Sequence, residues 1–163
     1  MKTLLIVWHS RTNGARLMAE AAGDASATET GVTVRLLPAE AADGSDLINA
    51  DGIIFAAPEN LAALSGPMKD FFDRCYYAVL GRIEGRPYAT MICAGSDGEN
   101  AARQIARIAT GWRLRPIAAP LIVCTRAQTP EAILAPKSIA AADLDRCREL
   151  GAGFAAGLEA GIF

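Results

Sequence analysis

The chain has 163 residues, 52% of them hydrophobic and 21% charged, with a formal net charge of −2. That length is one domain, read as residues 1–163. The composition is that of a globular chain able to bury roughly 70% of its unfolded surface without staples. The weak negative charge argues against a nucleic acid or an anionic membrane as partner.

The chain opens with an apolar run, Thr3 to Trp8. It is too short for a signal peptide or a membrane span and reads as a buried strand. A polar loop follows, His9-Ser10-Arg11-Thr12-Asn13-Gly14. Apolar residues at Leu17, Met18, Ala21 and Ala22 then mark one face of a helix. Strand, tight loop and helix in this order bring backbone amides and the positive end of a helix dipole to one place, where a phosphate fits. Ser10 and Thr12 add hydroxyls, Asn13 tolerates left-handed geometry, and Gly14 permits close approach or positive φ. The same small polar residues are good N-caps, so plain capping stays open. The loop carries neither a Rossmann fingerprint nor a P-loop pattern.

Gly31 to Leu37 reads as a second strand, closed by Pro38, and Asp46 to Ala50 as a short helix. Asp51 to Ala57 is a continuous apolar run stopped by Pro58, the mark of a central parallel strand. Pro58 to Ser65 is expected to be a loop, and Gly66-Pro67 starts a helix striped with Met68, Phe71, Phe72, Cys75 and Val79. Tyr88 to Ala94 is a strand, and Gly95-Ser96-Asp97-Gly98 is a second glycine-bearing loop. A helix covers Glu99 to Thr110. The last strand falls within Arg113 to Cys124, broken by Pro116 and Pro120. Thr129-Pro130-Glu131 starts a short helix, and Ser138 to Leu158 forms the terminal one. Five β-α alternations predict a three-layer, doubly wound, five-stranded parallel α/β sheet. A phosphate site on the first loop favours the flavodoxin-like order 2-1-3-4-5.

Ligands of such sheets bind beyond the carboxyl ends of the strands, where three loops meet. Residues 9–14 can hold a phosphate. Pro58, Glu59, Asn60 and Leu61 mix hydrogen-bonding groups with an apolar shelf. Ala94, Gly95, Ser96 and Gly98 offer amides and room for a flat ring. A phosphate at one end and a flat heteroaromatic at the other describe FMN.

The chain also resembles a family. Ser10 to Arg16 looks like the phosphate loop of flavodoxin-fold FMN reductases and quinone reductases. Ala57-Pro58-Glu59-Asn60 with Ser65-Gly66-Pro67-Met68-Lys69-Asp70-Phe71-Phe72-Asp73-Arg74 is similar to its second motif. Cys93-Ala94-Gly95-Ser96 with Gly98 takes the place of the third flavin loop. The resemblance implies an FMN-dependent NAD(P)H oxidoreductase that reduces a quinone, a flavin or a similar small-molecule acceptor, with homodimers or tetramers common. Asn13 and Ala15 depart from the family's glycine and threonine, which implies weaker phosphate binding. A flavodoxin-type electron carrier, or a non-catalytic FMN-binding protein, is the alternative. The ring loops lack the aromatic residues that carriers usually place around the flavin, unless Trp8, Trp112, Tyr76 or Tyr77 covers the ring from a neighbouring subunit. Tyr76 and Tyr77 are adjacent on one helix, so at least one is expected to be exposed. A receiver domain is excluded, because His9-Ser10 and Pro58 stand where it needs acids.

No catalytic side chain is required, since the cofactor carries the chemistry. Glu59 is the carboxylate to test, as a reactive group or simply as an acid beside a helix. Lys69 and Asp73, at i and i+4, read equally as a surface ion pair. Arg11 and Arg16 are candidates for phosphate charge or solvated arginines, and His9 is a candidate ring or phosphate neighbour. Cys75, Cys93, Cys124 and Cys147 form no C-x-x-C, and with one histidine they make no metal cluster. They read as buried thiols of a cytoplasmic protein.

Overall fold

A computed structural model describes residues 1–163. Strands β1 (Lys2–Trp8), β2 (Val32–Pro38), β3 (Gly52–Asn60) and β5 (Pro87–Ala94) form the parallel body of the sheet, with β2 at its edge. Two short pieces, β6 (Arg115–Pro116) and β7 (Leu121–Cys124), both pair with β5 and together make the fifth position. The order is β2-β1-β3-β5-β6, as expected.

Helices cover both faces. On one side lie α1 (Gly14–Ser26) and α6 (Ala141–Glu159); on the other lie α2 (Gly44–Asn49), α3 (Gly66–Val79) and α4 (Glu99–Gly111). The alternation of β1 divides the core. Leu4 and Ile6 join Met18, Ile54 and Phe154, whereas Leu5 and Val7 join Phe55, Phe71 and Ile105. All four of these β1 residues are fully buried, as a central strand covered on both faces requires.

The structure corrects four details. Pro58 does not stop β3. It lies beyond the last β3 residue paired with β1, Ala56, so its missing N–H removes no bond from that side of the ladder. Residues 58–65 are a tight hairpin rather than an open loop, with β4 (Ala63–Leu64) returning antiparallel on Glu59 and Asn60. The terminal helix begins at Ala141 rather than Ser138, because the segment before it is tied to the first loop by Lys137 N–H donating to Thr12 O at 2.7 Å. Cys124 is half-buried, while the other three thiols are buried as expected.

Candidate functional site

The first loop leaves the central strand with His9 N–H still bonded to Ala56 O, at 2.9 Å. From there the backbone amides of Ser10, Arg11, Thr12, Asn13, Gly14, Ala15 and Arg16 donate to no acceptor within the protein; intrachain bonding resumes with Leu17 N–H to Asn13 O. Asn13 occupies the cap position in left-handed geometry, φ 77°, and its side chain makes no capping bond. Plain N-capping is therefore excluded by geometry. What remains is a run of free donors at the positive end of a 13-residue helix with no acidic residue in its first turn.

Gly14 serves close approach. A Cβ there would collide with Cys93 Sγ on the neighbouring strand. Burial pushes the Cys93 thiol up to about 11, so it is an inert packing group.

The second loop is the 58–65 hairpin. Leu61 and Ala62 form its tip with φ of 51° and 60°, unusual for residues with side chains. Leu61 is fully exposed. Helix α4 braces this hairpin. Asn100 Nδ2 donates to Ala62 O, and Leu64 N–H donates to Gln104 Oε1, each at 2.6 Å. Glu59 accepts from Gly98 N–H at 2.9 Å and from Ala101 N–H at 3.2 Å. It is thus the acid beside a helix, capping α4.

In the third loop the amides of Gly95, Ser96 and Asp97 have no protein acceptor. The carbonyls of Ala94 and Gly95 accept from Thr125 N–H and Arg126 N–H, both at 2.8 Å. These bonds bring in a fourth segment, 125–137, that the local sequence did not announce. It contains α5 (Pro130–Leu134) with the expected Thr129 cap at 3.2 Å from Ala132 N. Lys137 Nζ spends its donors on the carbonyls of Ala132, Ile133 and Ala135, at 2.9, 2.8 and 2.6 Å.

The four segments enclose a cleft of about 410 Å³, within the usual range for small-molecule sites. Of the predicted residues it is lined by Thr12, Pro58, Glu59, Asn60, Leu61, Ala94, Gly95 and Ser96; Thr125, Ala127, Gln128, Ile133 and Lys137 join them. Ser10, Arg11 and Asn13 line an adjoining hollow of about 420 Å³ with Trp8, Arg16 and Pro136. Thr12 belongs to both. Gly14 and Ala15 are buried behind the loop, and Gly98 caps α4 in left-handed geometry. A larger hollow of about 650 Å³ lies between α3 and α4, but the polar groups of Asn100 and Gln104 that face it are already bonded to the hairpin.

His9 does not line the cleft. It is buried with Nδ1 2.9 Å from the Ser65 hydroxyl and Nε2 3.8 Å from Glu40. Burial holds its pKa below the ordinary value; Glu40 opposes this shift and Arg11 adds to it. Arg16 pairs with Glu20 at 2.7 Å over the Trp8 ring, while Arg11 is exposed and has no ion pair. Lys69 and Asp73 form an exposed pair at 2.6 Å. Trp112 is buried against Phe72, whereas Tyr76 and Tyr77 are both exposed on α3. No aromatic residue lines the cleft.

The donor set fits FMN. Free amides suit a phosphate, and a polar and apolar cleft one residue away suits a ring. No group of residues is arranged to hold a metal ion, and no helix is long and apolar enough to cross a membrane.

Known proteins agree with this architecture. A flavodoxin of Aquifex aeolicus is 30% identical over 98 residues, covering 60% of this chain and 53% of the relative, so the chain matches about half of that protein's length. The fold is similar to that of an archaeal flavodoxin, with a TM-score of 0.77 at 19% identity over 96% of this chain and 99% of the other. It is also similar to rubredoxin oxygen:oxidoreductase of Desulfovibrio gigas, with a TM-score of 0.78 at 17% identity over 99% of this chain and 37% of the other. Residues 38–128, more than half of the chain, match the sequence profile of the NADPH-dependent FMN reductase family, and the chain belongs to that flavodoxin-like, FMN-binding family.

Proposed function

We propose that this protein is a flavodoxin-type electron carrier, with residues 1–163 acting as one unit around FMN. The observation that carries this reading is the run of seven unbonded amides, 10–16, opening through Thr12 onto the cleft. The phosphate of FMN sits on those amides, with Ser10, Thr12 and Arg11 beside it and Asn13, Gly14 and Ala15 shaping the backbone. The ring lies between Pro58–Leu61 and Ala94–Ser96, with Gly98 holding the start of α4. Bound FMN supplies the uptake and release of electrons. The protein orients it between these loops. The fold likeness to an archaeal flavodoxin over 99% of that chain, and the 30% identity to a flavodoxin over about half of its length, support this reading.

A second reading has its own observation. The cleft has no aromatic lining residue, which leaves a ring face open to a hydride donor. Together with the family's description, this favours an NAD(P)H-dependent oxidoreductase acting on a quinone, flavin or other small acceptor. The exposed Tyr76 and Tyr77 then offer a face for a homodimer or tetramer. In either reading the buried thiols suit a reducing cytoplasm.

The test is an absorption spectrum with added FMN, followed by anaerobic titration. Bands at about 375 and 450 nm that shift on binding support the cofactor. Reduction by dithionite but not by NADH or NADPH supports the carrier, and reduction by NADPH the oxidoreductase. An unchanged FMN spectrum overturns both.

A further inference from the structure

The hairpin at residues 59–64 is an energetically awkward piece of chain. Its two tip residues carry side chains yet sit at positive φ, and Leu61 buries nothing in return. Such a conformation persists only where its surroundings over-determine it. Here the surroundings are the first turns of one helix. Gly98 N–H and Ala101 N–H hold the two oxygens of Glu59, Asn100 holds Ala62 O, and Gln104 holds Leu64 N–H. Three of these four bonds join the hairpin to α4 itself, through Ala101, Asn100 and Gln104, and the fourth ties Glu59 to Gly98 at the end of the third loop.

We infer that Glu59, Asn100 and Gln104 are positioning residues, a clasp that holds the hairpin in the strained shape that receives the FMN ring. The inference rests on the proposed cofactor site and adds to it two residues, Asn100 and Gln104, that do not line the cleft. They face the separate hollow between α3 and α4. Their influence on FMN is therefore exerted through the hairpin backbone. Glu59 differs from them in that it borders the cleft and caps α4, so its replacement alone does not separate positioning from helix stability.

The experiment compares wild type, N100A, Q104A, the pair N100A/Q104A, and E59Q. FMN affinity is read by quenching of flavin fluorescence, and the stability of the FMN-free protein by urea unfolding. Hydrogen exchange of the Leu64 amide, which donates to Gln104, is followed in the FMN-free protein. The expected result is FMN binding at least tenfold weaker in N100A/Q104A, with Leu64 exchange at least tenfold faster and exchange across β5 unchanged. FMN affinity within twofold of wild type in N100A/Q104A, or no acceleration of Leu64 exchange, overturns the clasp. If wild type itself binds no FMN, the cofactor reading fails, and Leu64 exchange still decides whether these side chains hold the hairpin.

Discussion

Replacing Gly14 with alanine places a methyl group where Cys93 Sγ already lies. The other neighbours of that methyl, Lys137 Cβ at 3.5 Å and Cys93 Cβ at 3.6 Å, are at ordinary contact distance, so the conflict is with one sulfur atom. Cys93 is buried on β5 and packed between sheet and α1, which leaves the sulfur little room to turn away. Overpacking of this kind costs about 1–3 kcal/mol. Alanine regains part of the roughly 0.5–1 kcal/mol that glycine loses in a helix. The net expectation is a loss of about 1–2 kcal/mol, a fall in Tm of roughly 2–8 °C for a chain of this size. Urea unfolding of the FMN-free protein measures it. The same substitution in a Cys93→Ala background meets no sulfur and is expected to be neutral or slightly stabilising. The double-mutant cycle should therefore show coupling of about 1–2 kcal/mol. An equal loss from G14A in both backgrounds would refute the steric argument and move the role of Gly14 to backbone conformation.

Three further outcomes are expected. His9 has a folded pKa below that of the unfolded chain, so the unfolded state takes up its proton first as the pH falls. The associated stability is complete above about pH 6.5 and declines below it through the folded pKa; H9Q should flatten the stability profile between pH 7 and 5.5, and parallel profiles would dismiss the idea. Leu61→Gly relieves a left-handed side chain that packs against nothing, so it should stabilise by about 0.5–1 kcal/mol; a loss in urea unfolding would show that the leucine makes a contact of value. A thiol-exchange reagent at pH 8 should modify Cys124 rapidly and the other three only on unfolding, because burial raises Cys75, Cys93 and Cys147 to about 11. Rapid modification of more than one thiol in the native protein would contradict that burial.

Hydrophobic pattern along the chain was enough to set the layers and their order. Runs such as Leu4–Val7 and Ile53–Ala57 are apolar on both faces, as parallel strands covered on both sides require. Alternation with striped helices then leaves few topologies. It also singled out the polar loop between β1 and α1, because strand, small polar residues and helix are local in the chain. What local pattern does not contain is which loop touches which. Glu59 meets Gly98, and Asn100 meets Ala62, across about 40 residues. Segment 125–137 joins the cleft only because Thr125 and Arg126 bond to the carbonyls of Ala94 and Gly95, and Lys137 to that of Thr12. Whether Asn13 caps a helix or leaves its amides free depended on a side-chain direction that residue type does not dictate. Hydrophobic periodicity fixes which face is buried. Pairings between loops are fixed by tertiary packing, because their hydrogen bonds form between residues that approach only when the sheet has been assembled.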